Sequence, residues 1–135
     1  MMTDAEIEAL VRSFEEGSLP RSEWTHASHL LVALWYMTHH PRDQATRLVR
    51  DGLRRYNALG GRIGRYHETI TLAWVAVIGR FLARADVHRP VSELAVALIE
   101  SCGDKDHLLR YYSEEVLMSD AARQSWVPPD RRPIE

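Results

Sequence analysis

Apolar residues recur at every third or fourth position through most of the chain, and nowhere do they alternate as they would along a strand. Thr3 and Glu6 have the spacing of a capping box, Ile7, Leu10, Val11 and Phe14 follow at helical intervals, and Gly17 closes the segment. This predicts a first helix over about 3 to 16. Ser22 or Thr25 can cap a second helix carrying Leu30, Leu31, Ala33, Leu34, Trp35 and Met37, which must stop at His39-His40-Pro41 because the residue before proline disfavours helical torsions. That segment is apolar nearly all round, so it belongs at the centre. Pro41 suits the first turn of a third helix with Ala45, Leu48, Val49, Gly52, Leu53 and Tyr56 on one face and arginines on the other.

A fourth helix, about 67 to 84, holds Ile70, Ala73, Trp74, Val77, Ile78, Phe81 and Leu82 and pairs with the second in the core. Pro90 opens a fifth, running through Leu94, Ala95, Leu98 and Ile99 to a stop at Gly103. The stretch from Asp104 to Tyr112 has no clear period, Ser119 to Trp126 suits a last short helix, and Pro128, Pro129 and Pro133 predict an extended tail. With no hairpin signal and no internal repeat, the pattern predicts one all-α domain over 1-135, a bundle of about five main helices with a short C-terminal helix and a proline-rich tail.

Composition narrows the function classes. The chain has 135 residues, 45% hydrophobic and 27% charged, enough to bury one continuous core and too few for two catalytic-sized domains. A net charge of −2 gives no general attraction to phosphate backbones, although Arg54, Arg55, Arg62 and Arg65 form a local basic stretch, so nucleic acid is not the expected partner. The longest apolar runs, such as Leu30 to Met37, fall well short of the roughly 20 residues that cross a bilayer, so no membrane association is expected. The acidic start Met1-Met2-Thr3-Asp4-Ala5-Glu6 is unlike a secretory signal, and Cys102 is the single cysteine, which together predict a cytoplasmic protein without disulfides. Cys102 stands near a helix end beside Leu98 and Ile99, where packing accounts for it.

The chemistry concentrates in two segments at helix starts, Trp24-Thr25-His26-Ala27-Ser28-His29-Leu30 and Tyr66-His67-Glu68-Thr69-Ile70-Thr71. His26 and His29 are three apart, about 60° around a helix axis, the spacing at which two imidazoles ligate one ion. His67 or Glu68 would complete the set. Two histidines with a carboxylate suit non-haem iron and three suit zinc or copper, so the expected cofactor is a divalent transition metal of unspecified identity. His67 and Glu68 point about 100° apart on a helix, which favours His26, His29 and His67 as ligands and leaves Glu68 as general base or fourth ligand. Trp24, Arg65 and Tyr66 would then line the pocket and orient an anionic small-molecule substrate, and the glycine-dense stretch 60–65 is either a lid or a loose connection.

Other readings of the same residues stay open. Thr25 and His26 can cap the second helix, His29 can donate to a carbonyl, and Glu68 can accept from His26 in a polar network that only fixes helix register. That reading describes a non-catalytic ligand-binding module, or one that assembles as a homodimer through its apolar helix faces. A metal-free acid–base pocket is the third. Three familiar sites are excluded by the letters: Thr71 stands where the zinc-protease helix needs its second histidine, and neither a phosphate loop nor a nucleophile elbow occurs; a di-iron bundle is a minority reading, because it needs more inward glutamates than Glu68.

The two histidine segments, with Arg55-Tyr56-Asn57, Tyr111-Tyr112-Ser113 and Trp126-Val127-x-Pro129-Asp130, resemble blocks shared by a set of small uncharacterised bacterial all-helical proteins. The resemblance spans nearly the whole chain. It implies that these residues are the ones to watch, and it carries no reaction. This chain departs from that set between Asn57 and Tyr66, where Arg62 and Arg65 replace small residues. The combined expectation is a metal-dependent enzyme acting on a small metabolite, by hydrolysis, hydration or oxygen chemistry, at a site between helices two and four.

Overall fold

A computed structural model describes residues 2–135, and its elements follow the hydrophobic pattern closely. Helix α1 spans Asp4–Glu16; its capping box forms in full, with the Glu6 amide donating to Thr3 Oγ1 (3.1 Å) and the Thr3 amide to Glu6 Oε1 (2.9 Å), and Gly17 ends it in the left-handed region at φ 75°. Helix α2, His26–His39, is capped by Thr25 and not by Ser22, which falls in a short 3-10 turn at Arg21–Glu23. Helices α3 (Arg42–Leu59), α4 (Glu68–Arg84) and α5 (Val91–Cys102) complete the five main segments, and no strand occurs among the described residues.

The centre is α2, which packs against α1, α3, α4 and α5. Leu30, Leu31, Val32, Ala33 and Leu34 are all buried, so five consecutive positions face apolar neighbours. Each fully buried leucine contributes about 2 kcal/mol of apolar transfer, and α2 is thereby fixed to every main helix at once. Helices α1 and α3 meet through Gly52, where an added Cβ would lie 2.6 Å from the Phe14 ring. That close approach lets Phe14 stack on Trp24 (4.7 Å between centroids) and touch Tyr56 (5.7 Å), forming an aromatic wall beneath the N-terminus of α2.

The C-terminal third is more structured than the sequence pattern predicts. The ambiguous stretch forms a 3-10 turn at His107–Arg110, an unexpected four-residue helix α6 at Glu114–Leu117 follows, and the predicted last helix is α7, Asp120–Gln124. Together with α4 these build a second small core from Ala73, Val77, Leu108, Tyr111, Tyr112 and Leu117. The proline-rich tail is not helical, as expected, yet it is docked: Tyr112 donates to the Val127 carbonyl (2.7 Å), the Ser113 amide to Asp130 Oδ1 (2.7 Å), and the Arg131 amide to the Tyr111 carbonyl (2.9 Å). Prolines free the tail from helical geometry without freeing it from the surface.

Candidate functional site

A cavity of about 530 Å³ opens where the N-terminal ends of α2 and α4 face α3. Its wall includes His26, His29, His67, Trp24, Arg65 and Tyr66, so six of the seven residues singled out in the sequence reach one place. Glu68 does not line it. Arg21 from the 3-10 turn lines it without any signal in the sequence pattern; Asn57 of the shared block on α3, Arg62 of the glycine-dense loop and Trp74 of α4 also reach the wall, and no aspartate or glutamate does.

The histidines differ in what remains free on each ring. At His67, Nδ1 accepts from the Ile70 amide (3.0 Å), so the ring caps α4, and Nε2 donates to the buried Leu117 carbonyl (2.7 Å). A neutral imidazole has one donor and one acceptor, and both are used. His67 therefore has no lone pair for an ion, and the expected ligand triad of His26, His29 and His67 is not assembled; among the described residues no three His, Cys, Asp or Glu side chains group as metal ligands. At His29, Nδ1 donates to the Thr25 carbonyl (2.6 Å) and the ring lies 3.9 Å from Trp24, which leaves Nε2 as the acceptor. His26 sits 5.1 Å from the Trp74 ring, and its Nε2 is buried with no hydrogen-bond partner.

Glu68 departs from the expected general base for a physical reason. Arg50 Nε and Nη2 donate to its two carboxylate oxygens (3.0 and 3.1 Å), and the Tyr66 hydroxyl donates to Oε1. Burial alone would raise this carboxyl's pKa, but the hydrogen bonds from Tyr66 and Arg50 outweigh it and hold the pKa below the ordinary carboxylate value. A carboxylate saturated by a bidentate arginine and a phenol is a poor proton acceptor. It ties α3 to α4, and it fixes Tyr66, whose ring also carries the Arg54 guanidinium at 4.6 Å, in the cavity wall.

Burial lowers the pKa of His26, His29, His67 and His107, in His26 against a smaller opposing pull from Asp104. All four are thus neutral in the folded protein at pH 7. Above the unfolded value of about 6.5 both states are neutral and contribute nothing; below it the unfolded chain takes up protons that the fold refuses, so stability falls as pH drops through the lowered folded values. The expected result is a decline beginning near pH 6.5, with a limiting slope of about 1.4 kcal/mol per pH unit for each histidine in its window. Urea titrations from neutral pH down to about pH 5 measure it, and a flat profile there would contradict the burial of these rings.

No family model, curated protein or solved structure matches the chain.

Proposed function

We propose that the chain is an enzyme for a small organic anion with a flat, unsaturated body, in which His26 Nε2 moves the proton. One observation carries the reading: His26, a neutral imidazole whose buried Nε2 has no partner, stands in the wall of a cavity whose charged lining is Arg21, Arg62 and Arg65 with no carboxylate. A buried polar atom left without a partner costs about 1–3 kcal/mol, and such atoms recur where a ligand or reacting group supplies the missing partner. The arginines supply the anion's counter-charge at the rim, where Arg62 and Arg65 are exposed, while Trp24 and Trp74 offer flat apolar surface deeper in.

The test is calorimetric titration with benzoate, benzamide and benzylamine. Benzoate should bind at least about tenfold more tightly than its neutral and cationic counterparts, and an Arg62→Gln, Arg65→Gln variant should lose about that factor, since the two exposed charge-assisted contacts together contribute on the order of 1.5 kcal/mol. Anion binding stabilises the protonated form of a neighbouring imidazole, so the affinity should rise as pH falls toward the lowered pKa of the buried His26, and His26→Ala should flatten that dependence. Equal binding of benzamide and benzoate, or a pH dependence untouched by His26→Ala, overturns the reading.

His29 favours a second reading. Its Nδ1 donor bond to the Thr25 carbonyl is the outer contact that orients a metal-ligating histidine and leaves Nε2 facing outward as a lone pair. In that reading His26 and His29 hold a divalent transition metal whose other positions go to water and substrate, and His67 takes no part. Elemental analysis of tag-free protein after incubation with zinc, iron, manganese or copper separates the two: about one ion per chain, lost in a His26→Ala, His29→Ala variant and kept in His67→Ala, supports the metal.

A further inference from the structure

A second cavity, about 590 Å³, lies beyond Trp74, between the C-terminal half of α4, α5 and the His107–Arg110 turn. The Trp74 ring separates the two, 5.1 Å from His26 on the first and 5.7 Å from His107 on the second. Five arginines line this second cavity: Arg80 and Arg84 one turn apart on α4, Arg89 before α5, Arg110 from the 3-10 turn and Arg132 from the docked tail. No aspartate or glutamate lines it. Arg89 is paired with Glu93 at 3.2 Å, while the other four have no carboxylate within salt-bridge distance among the described residues.

We infer that this cavity is a binding site for a phosphorylated small metabolite. Guanidinium groups from four separate stretches of chain repel one another, and of the five only Arg89 has a carboxylate partner, Glu93, among the described residues. Two of them are nevertheless held in place. Arg80 Nη1 donates to the Tyr111 hydroxyl (3.1 Å), its Nε is buried without a partner, and the Arg132 guanidinium lies 5.4 Å over the same Tyr111 ring. Fixed forks of donors match the oxygens of a phosphate, and a phosphomonoester carries close to two negative charges at neutral pH, which several converging arginines suit better than one carboxylate does. Val77, Phe81, Leu94 and Ala97 form apolar wall, and the volume far exceeds that of an inorganic ion, so the ligand has an organic body beside its phosphate. The concavity favours a small molecule over a nucleic-acid backbone, which would need an open basic track.

The experiment uses the whole chain at low ionic strength, with n-butyl phosphate, inorganic phosphate and an oligothymidylate as probes and calorimetry as readout. Butyl phosphate should bind at least about tenfold more tightly than inorganic phosphate, and an Arg84→Gln, Arg132→Gln variant, altered only at exposed positions, should lose about tenfold. The same variant should bind benzoate at the first cavity as the wild type does, whereas Arg62→Gln, Arg65→Gln should leave butyl phosphate unaffected, so the two sites succeed or fail separately. Inorganic phosphate binding as well as butyl phosphate, or butyl phosphate affinity unmoved by Arg84→Gln, Arg132→Gln, overturns the inference. Oligothymidylate binding more tightly than butyl phosphate, and lost in that variant, overturns it in favour of a phosphate backbone.

Discussion

Replacing His67 by alanine is expected to lower stability by about 3 kcal/mol, combining a lost helix cap of about 1 kcal/mol with a buried carbonyl left unpaired at about 1–3 kcal/mol. The ring is 8% exposed, caps the first turn of α4 through Nδ1 and holds the Leu117 carbonyl of α6 through Nε2. One side chain therefore joins a main helix to the C-terminal layer. For a chain of this size the loss corresponds to about 10 °C in Tm, measurable by thermal or urea unfolding. His67→Asn should recover about the 1 kcal/mol of the cap, because asparagine is a good N-cap, and none of the Leu117 contribution, which its shorter side chain cannot reach. The outcome that contradicts this account is a His67→Ala protein as stable as wild type; benzoate affinity is expected to change far less than stability does.

The helices were legible because five long segments carry their own period and their own punctuation. Thr3 with Glu6, Thr25, Pro41, Pro90 and Gly103 all stand at the ends that local chemistry assigns them. Helix α6 was missed for the opposite reason: at four residues it has no period to read, and it is held by Ser113 at its cap and by His67 from fifty residues away. The place of the candidate site was also legible, since histidines at two helix starts meet once α2 and α4 pack. Their roles were not. Whether an imidazole is free depends on what its second nitrogen meets, and for His67 that is a carbonyl on a helix the sequence did not announce. Glu68 was opaque in the same way, because Arg50 reaches it from the inward side of α3, eighteen positions earlier, with no local spacing to mark the pair. The second cavity was invisible because its arginines are scattered over α4, two loops and the tail.

The blocks around Thr69, Tyr112 and Val127 find a common reason in the docked tail, and Thr69→Val tests it with the least disturbance of shape. Thr69 is fully buried; its Oγ1 donates to the Ser125 carbonyl (2.8 Å) and accepts from the Val127 amide (3.1 Å). Valine fills the same volume without the hydroxyl, so two backbone groups lose their partner while packing is kept. The expected cost is about 2 kcal/mol, concentrated in the tail, because one unpaired buried group alone costs about 1–3 kcal/mol and the tail's surface position lets water reach the second. Tyr112 still holds the Val127 carbonyl and Asp130 still holds the Ser113 amide, so the tail should loosen without detaching. Amide exchange reads this directly: the Val127 amide should lose most of its protection while the amides of α2 keep theirs. Uniform loss of protection across α2 and the tail would mean that the tail opens only when the whole bundle does. In that case Arg132 cannot move on its own, and the second cavity must meet its ligand ready formed.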